Sequence, residues 1–229
     1  FRKPPISTDL ISSSLDDGPQ GIVGFSSRGP TLDGRNKPDV VAPGSDVISV
    51  RSRASEDTGW GVLAANTNYC FMGGTSMATP LASGAATLVR QYCTDVLGMP
   101  APSAALLKAV LTGGARSLTP GQYGANEFRE IPPLPRPNPV EGYGQIDLAN
   151  TLFPDSPIQA VLVDDSRPLH TGQTNQFDFF VAESAALTVT MAYSDFPAAL
   201  ASAKDLVNDL DLKLLSPNQT PYYPGGRTG

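Results

Sequence analysis

The sequence predicts an α/β domain in its first part and an antiparallel β-sandwich in its second part. Residues 1–153 mix glycine-rich loops with two helical stretches, whereas residues 158–229 contain short β-rich segments separated by turn signals. The chain has 229 residues, of which 40% are hydrophobic, and this is enough to build a real core. These observations favour one α/β unit followed by a smaller all-β unit.

The first part contains two predicted helices. One begins at Ser76 and runs to about Tyr92, preceded by a short apolar strand at residues 69–72. This helix is rich in alanine and other small residues, which allow close approach to neighbouring elements, so we expect it to be buried. The second helix spans roughly residues 103–111, between a Pro-Ser start signal and a Gly-Gly stop signal.

A proline-rich segment separates the second helix from the all-β part. Residues 131–139 hold five prolines, a density that excludes regular structure and predicts a surface loop. A peptide-recognition role for this PxxP-like stretch is the weaker alternative. A short helical turn ending near Leu152 follows it. The expected strands then lie at residues 159–163, 176–181, 186–193 and 211–215, and four strands would leave the sandwich incomplete.

Composition excludes several classes of function. The net charge of −6 argues against nucleic acid as a partner, and the absence of an apolar run near 18 residues argues against a membrane span. We expect no organic cofactor. Cys70 and Cys93 are expected to be buried free thiols, with a single disulfide as the alternative. The opening run FRKPP has neither an initiating Met nor a signal peptide, so we expect the chain to be excised from a longer protein.

Ser76 is the strongest candidate for a functional residue. It lies in the run GGTSMATP at residues 73–80, where a strand ends, two glycines allow a tight turn and a helix begins. The free N–H groups and positive dipole end of a helix N-terminus favour an oxyanion beside this serine. The position therefore suits a nucleophile that attacks a carbonyl, with the Ser76 backbone N–H in the oxyanion hole. Spacing alone also fits a serine that merely caps the helix.

The residue string resembles the nucleophile motif of the subtilases, the subtilisin-like serine peptidases. Two flanking blocks agree with it: FSSRGPTLDGRNKPDVVAPG at residues 25–44 and GYGQI at residues 142–146 are similar to family segments that occur in the same order. The resemblance implies the C-terminal portion of a mostly parallel-sheet domain with helices on both faces. It also implies a secreted serine endopeptidase that cleaves proteins or peptides through an acyl-enzyme on Ser76.

The second part has a counterpart in the same family. Residues 193–195 and the run LVNDLDL at residues 206–212 resemble the β-sandwich that follows the catalytic domain in an alkaline, oxidation-resistant bacterial branch. That branch binds calcium, and the resemblance implies Asp195, Asp209 and Asp211 as its hard oxygen ligands. The two-residue spacing of Asp209 and Asp211 would place both carboxylates on one face of a strand. The alternative is that all three are solvated turn acids.

The resemblance also implies catalytic groups that the sequence lacks. A subtilase needs an Asp, a His base and an oxyanion Asn before its serine. No His precedes Ser76, and Asn36, Asn66 and Asn68 do not lie in a family-like context. We therefore expect these groups on a missing N-terminal portion, and we expect this chain alone to be inactive. His170, the single histidine, is expected in a surface turn and not as a base.

Two other hypotheses remain open at this stage. The parent could be a non-catalytic pseudoprotease, or the second part could be a module that binds calcium, glycan or protein. Loss of N-terminal strands would expose apolar edges and faces, so we also expect the chain to self-associate.

Overall fold

The structure, a computed structural model, describes residues 20–127, 129–133, 135–155, 158–181 and 187–224. Within these residues the elements are β1 (Val47–Val50), β2 (Tyr69–Met72), α1 (Thr75–Asp95), α2 (Ala104–Gly113), α3 (Leu148–Leu152), β3 (Leu214–Leu215) and β4 (Pro221–Tyr222). Residues 1–19 of the predicted first part, residue 134 of the proline-rich segment, residue 186 of a predicted strand and the end of the second part at residues 225–229 lie outside the described residues.

β1 and β2 form an antiparallel pair that leads into α1. Val47 lies opposite Met72, and Val50 lies opposite Tyr69. The predicted strand at residues 69–72 is confirmed, whereas β1 was not predicted. Residues 60–63 run along the other edge of β2, so β2 has hydrogen-bonded neighbours on both sides. The end of β2 is therefore held firmly, and the helix with the candidate serine begins three residues later.

α1 confirms the first predicted helix but not its predicted burial. Its buried residues are Ala85, Val89 and Cys93, which recur every four residues and so form a single stripe. Leu81 and Leu88 lie elsewhere on the helix and are 43% and 50% exposed. Small residues allow close packing only where a neighbouring element exists. In the described part of the chain, α2 and α3 cover one face of α1.

α2 confirms the second predicted helix and links the two parts of the chain. The Ser103 hydroxyl accepts a hydrogen bond from the Leu106 N–H at 3.0 Å, which makes Ser103 the N-cap. The same hydroxyl and the Ser103 N–H donate to the two carboxylate oxygens of Asp164, each at 2.7 Å. Because Asp164 belongs to the second part, the start of α2 is one place where the two parts are joined by hydrogen bonds. Another is Arg35, whose guanidinium donates to the Asp205 carboxylate at 2.6 Å.

The proline-rich segment is not simply a surface loop. Ile131 is fully buried and packs with Ile22, Leu118 and Val140 in a second small core. Asn138, from the same segment, is only 2% exposed. The prediction was wrong at these positions because it rested on the prolines, which exclude regular structure but do not exclude burial of the residues between them.

Glu141 is a fully buried carboxylate beside this core. It accepts hydrogen bonds from the Ser117 hydroxyl at 2.9 Å, the Leu118 N–H at 2.7 Å and the Asn138 side-chain amide at 3.2 Å. A buried carboxylate is tolerated when its oxygens are hydrogen-bonded in this way. Glu141 therefore joins residues 117–118 to the turn at residues 138–141.

The second part does not contain most of its predicted strands. None is present at residues 159–163, 176–181 or the described portion of 186–193, and within 211–215 only β3 forms, paired with β4. A strand requires a neighbour that accepts and donates its backbone hydrogen bonds, and four short segments do not supply enough neighbours. The sandwich is therefore not confirmed by the described residues.

The structure also tests the predictions for the two cysteines and for the helical turn near Leu152. Cys70 and Cys93 are both free and buried, as expected. The helical turn predicted to end near Leu152 is α3, whose first N–H groups are capped by the Asp147 carboxylate. In the described ranges, no helix combines the length and the apolar character needed to cross a bilayer.

We expect Glu141→Leu to lower the free energy of unfolding by about 3 kcal/mol, because it leaves three buried donors without an acceptor. Urea unfolding of the purified chain measures the change. Glu127 is exposed, so Glu127→Leu is the matched control and should shift stability by less than about 0.5 kcal/mol. Equally small changes in the free energy of unfolding for both variants would contradict the stabilising role assigned to Glu141.

Candidate active site

Ser76 is the second residue of α1, and its side chain is exposed. The N-cap position belongs to Gly74, and no side chain caps the helix. The alternative that Ser76 serves as a helix cap is therefore wrong. Among the described residues, no group hydrogen-bonds to the Ser76 hydroxyl. The hydroxyl is thus accessible and is not engaged in structural hydrogen bonding.

The two glycines before the helix are required for different reasons. Gly74 has φ 146° and ψ 163°, a backbone conformation that is open essentially only to glycine. Gly73 is restricted by its surroundings, because a methyl group built there would overlap the six-membered ring of Trp60. The turn that presents Ser76 therefore depends on both glycines.

The helix start provides donors next to the serine. The N–H groups of Met77 and Ala78 bond to the Gly74 carbonyl at 3.0 and 3.3 Å, whereas those of Thr75 and Ser76 have no acceptor within the described residues. The first turn of α1 contains no acidic side chain. The positive end of the helix dipole is therefore not neutralised by its own first turn, and an oxyanion beside Ser76 would be stabilised.

The three sequence blocks that resemble one family are joined by backbone hydrogen bonds. The Gly74 N–H donates to the Gly44 carbonyl at 2.7 Å, which connects the serine turn to the first block. The Val41 N–H donates to the Gly144 carbonyl, and the Ile146 N–H donates to the Val41 carbonyl, both at 3.0 Å. This second contact is a parallel bridge between the first and third blocks.

Asp39 adds an electrostatic contact within the first block. Its carboxylate pairs with Lys37 and, at 3.0 Å, with Lys108 of α2. Burial would raise the pKa of Asp39, but the hydrogen bonds from the two ammonium groups outweigh burial and hold the pKa below its ordinary value. The Asp39 carbonyl also accepts the Tyr143 N–H at 2.8 Å. The first block is therefore tied to both α2 and the third block.

The structure brings no catalytic partner to Ser76 from the described residues. His170 is exposed in a turn, as the sequence predicted. Its backbone N–H donates to the side-chain oxygen of Gln173 at 3.0 Å. Asn66 and Asn68 bond to each other in a local loop at 3.1 Å. Ser76 is thus the one member of the expected catalytic set that the described part of the chain presents.

Asp195, one of the three predicted calcium ligands, is hydrogen-bonded within a loop. Its oxygens accept hydrogen bonds from the N–H groups of Phe196, Val207 and Asn208 and from the Asn208 side-chain amide, at 2.7–3.2 Å. The Val207 N–H is the main reason that the pKa of Asp195 is below its ordinary value. No cluster of three His, Cys, Asp or Glu residues suited to a metal occurs among the residues described. Asp195 closes this loop, and calcium at Asp195, Asp209 and Asp211 stays a prediction.

Two residues of this region were missed by sequence reasoning. Trp60 contacts the serine turn and Glu141 anchors the third block. The only available signals were the glycines on either side of Trp60 and the position of Glu141 directly before GYGQI. Neither signal distinguishes a contact residue from an ordinary turn residue.

Comparison with known proteins gives consistent results. A family model described as the subtilase family matches residues 11–129. A Dictyostelium discoideum protein named serine protease/ABC transporter B family protein tagD is 31% identical over 238 residues, covering 84% of this chain and 13% of that protein. The Bacillus subtilis (strain 168) serine protease AprX is 43% identical over 89 residues, covering 38% of this chain and 20% of AprX.

The structure of the Clostridium perfringens CspB protease was also found. It is 28% identical, with a TM-score of 0.34, and the match covers 50% of this chain and 19% of that one. This chain therefore spans a fifth or less of the length of each of these relatives.

We expect Gly74→Ala to lower the free energy of unfolding by about 2 kcal/mol, since alanine is strained at this φ and ψ. Gly84 is the matched control within α1, because a methyl group there meets nothing within 4 Å. Gly84→Ala should raise stability by roughly 0.5–1 kcal/mol through helix propensity. Thermal or urea unfolding measures both, and changes of the same sign would contradict the proposed role of Gly74.

Proposed function

The chain belongs to the subtilase family, and from this membership we propose that Ser76 is the nucleophile of a serine endopeptidase. One observation supports the proposal most directly. The exposed, unengaged hydroxyl of Ser76 stands at a helix start that is hydrogen-bonded, through Gly74 and Gly44, to the other family blocks. Because the chain spans only part of its relatives, this activity is proposed for the full-length protein.

In this mechanism the Ser76 oxygen attacks the carbonyl carbon of the scissile peptide bond. Its proton passes to a histidine base, which is expected on a part of the protein outside this chain. The carbonyl oxygen becomes an oxyanion and accepts a hydrogen bond from the Ser76 backbone N–H at the start of α1. Collapse of the intermediate transfers the proton to the leaving amine and leaves an acyl-enzyme, which water then hydrolyses.

The isolated chain is proposed to be inactive. A serine hydroxyl is a weak nucleophile without a general base, and the described residues place no such base at Ser76. Protein or peptide substrates, an extracellular location and the absence of a nucleic-acid or membrane partner belong to the same proposal. The competing hypotheses are a pseudoprotease and a module that binds calcium, glycan or protein. Active-site labelling distinguishes both from a serine endopeptidase.

The second part is proposed to become a β-sandwich when further strands are supplied. Alternate residues Phe177, Phe179 and Val181 are between 43% and 51% exposed, which is the pattern of one strand face that lacks its partner. Such exposed apolar faces also favour self-association of the chain. The division into residues 1–153 and residues 158–229 is part of this proposal.

We expect a fluorophosphonate probe to label the full-length protein at Ser76, and we expect Ser76→Ala to abolish labelling and reduce peptide hydrolysis by at least ~1,000-fold. Ser83 is exposed on the same helix and bonds to the Thr79 carbonyl, so Ser83→Ala is the matched control. Equal hydrolysis by wild type and Ser76→Ala would contradict the proposal. Stoichiometric labelling of the isolated 229-residue chain would contradict its proposed inactivity.

Light scattering should show the isolated chain as dimers or larger species. Phe179 is 49% exposed on the same face as Phe177 and Val181, so Phe179→Lys should shift the population toward monomer by placing a charge on that apolar face. Thr171→Lys adds the same charge in an exposed turn and serves as the control. A monodisperse wild-type monomer would contradict the expected self-association.

A further inference from the structure

Trp60 is the aromatic side chain in contact with the turn that presents Ser76. Its ring lies so close to Gly73 that a single added methyl group at Gly73 would overlap it. Gly73 is three residues before the serine and directly before the N-cap Gly74. An aromatic ring therefore contacts the turn that presents Ser76.

Hydrogen bonds fix the backbone from which the Trp60 ring projects. The Trp60 N–H donates to the Phe71 carbonyl at 2.7 Å, and the Phe71 N–H donates to the Gly61 carbonyl at 2.9 Å. Trp60 is thus held against the edge of β2, one of the better-supported elements in this part of the chain. A side chain held on a paired edge is pre-organised, so little entropy is lost when it contacts a ligand.

Trp60 belongs to a short apolar rim around the serine turn. The Met72 side chain packs over Gly59, next to Trp60, and the Met77 sulfur lies 3.6 Å from a methyl group built at Gly74. All three side chains are partly exposed. The core clusters of the described residues include none of them. The rim consequently offers apolar surface next to the turn that presents Ser76.

We propose that Trp60 is a specificity-determining residue that contacts a large apolar side chain of the peptide substrate close to the scissile bond. An indole ring offers a large apolar surface, and its contact with an aliphatic or aromatic side chain removes both from water. A charged side chain at the same place would lose hydration without gaining a partner. This inference rests on the proposed function, since it assigns the substrate preference of the same site.

The test compares kcat/KM across a peptide series in the full-length protein. Each peptide carries either leucine or glycine at one position near the scissile bond, and the positions are scanned in turn. At the position that contacts Trp60, the wild type should prefer leucine. Trp60→Ala should reduce that leucine-to-glycine ratio roughly 10- to 100-fold, whereas Trp60→Phe should retain most of it.

Two controls distinguish recognition of the peptide by Trp60 from mere support of the turn at Gly73. Tyr222 is an exposed aromatic residue of β4, and Tyr222→Ala should leave the ratio unchanged at every position. If Trp60 only supported the Gly73 backbone, Trp60→Ala would reduce kcat/KM equally for leucine and glycine peptides. An equal loss, or no loss, overturns the inference while leaving the assignment of Ser76 untouched.

A binding measurement keeps this inference separate from the proposed activity. In Ser76→Ala protein, the fluorescence of Trp60, isolated by subtracting the spectrum of Ser76→Ala/Trp60→Phe, should change when a leucine peptide binds. The glycine peptide should give a smaller change at the same concentration. If wild type neither hydrolyses peptides nor labels at Ser76, the proposed function fails, and this fluorescence still decides whether Trp60 meets the peptide. An unchanged spectrum overturns the inference.

Discussion

The hydrogen bond from the Gly74 N–H to the Gly44 carbonyl is the constraint on which the candidate site depends. This 2.7 Å bond joins Gly44, the last residue of the first family block, to Gly74, the N-cap residue of α1. A methyl group at Gly44 would lie 3.0 Å from the Gly74 carbonyl oxygen and 3.3 Å from Ala78, so the two segments touch without room for a side chain. The orientation of the helix start, and hence of Ser76, follows from this contact.

The contact between Gly74 and Gly44 is itself supported from the buried interior. Val41, in the same block as Gly44, is bracketed by hydrogen bonds to Gly144 and Ile146. The Gly144 N–H bonds in turn to the carbonyl of Glu141, whose buried carboxylate holds the neighbouring segments. A path of hydrogen bonds and short covalent segments therefore runs from Glu141, through Gly144, Val41 and Gly44, to the Gly74 turn before Ser76. The hydrogen bonds of this path are 2.7–3.0 Å long, and together they fix the position of the turn before Ser76.

Sequence reasoning succeeded where local rules decide the structure. The bounds of β2 agree and those of α2 nearly so, because a short apolar run and a Ser start signal act within a few residues. It failed where distant neighbours decide. The one-sided burial of α1 and the burial of Ile131 each depend on segments far along the chain. For the site, the motif identified Ser76, but no local rule could place Trp60 on Gly73.

The two glycines before α1 also link reactivity to recognition. Gly74 supplies the backbone conformation that begins the helix, and Gly73 supplies the space that Trp60 fills. A larger residue at Gly73 must displace the indole, the turn or both, because a Cβ there would overlap the Trp60 ring. The positions of the proposed nucleophile and of the apolar ring next to its turn are consequently set by the same few atoms. A substitution at this turn therefore affects both Ser76 and the residue proposed to face the substrate.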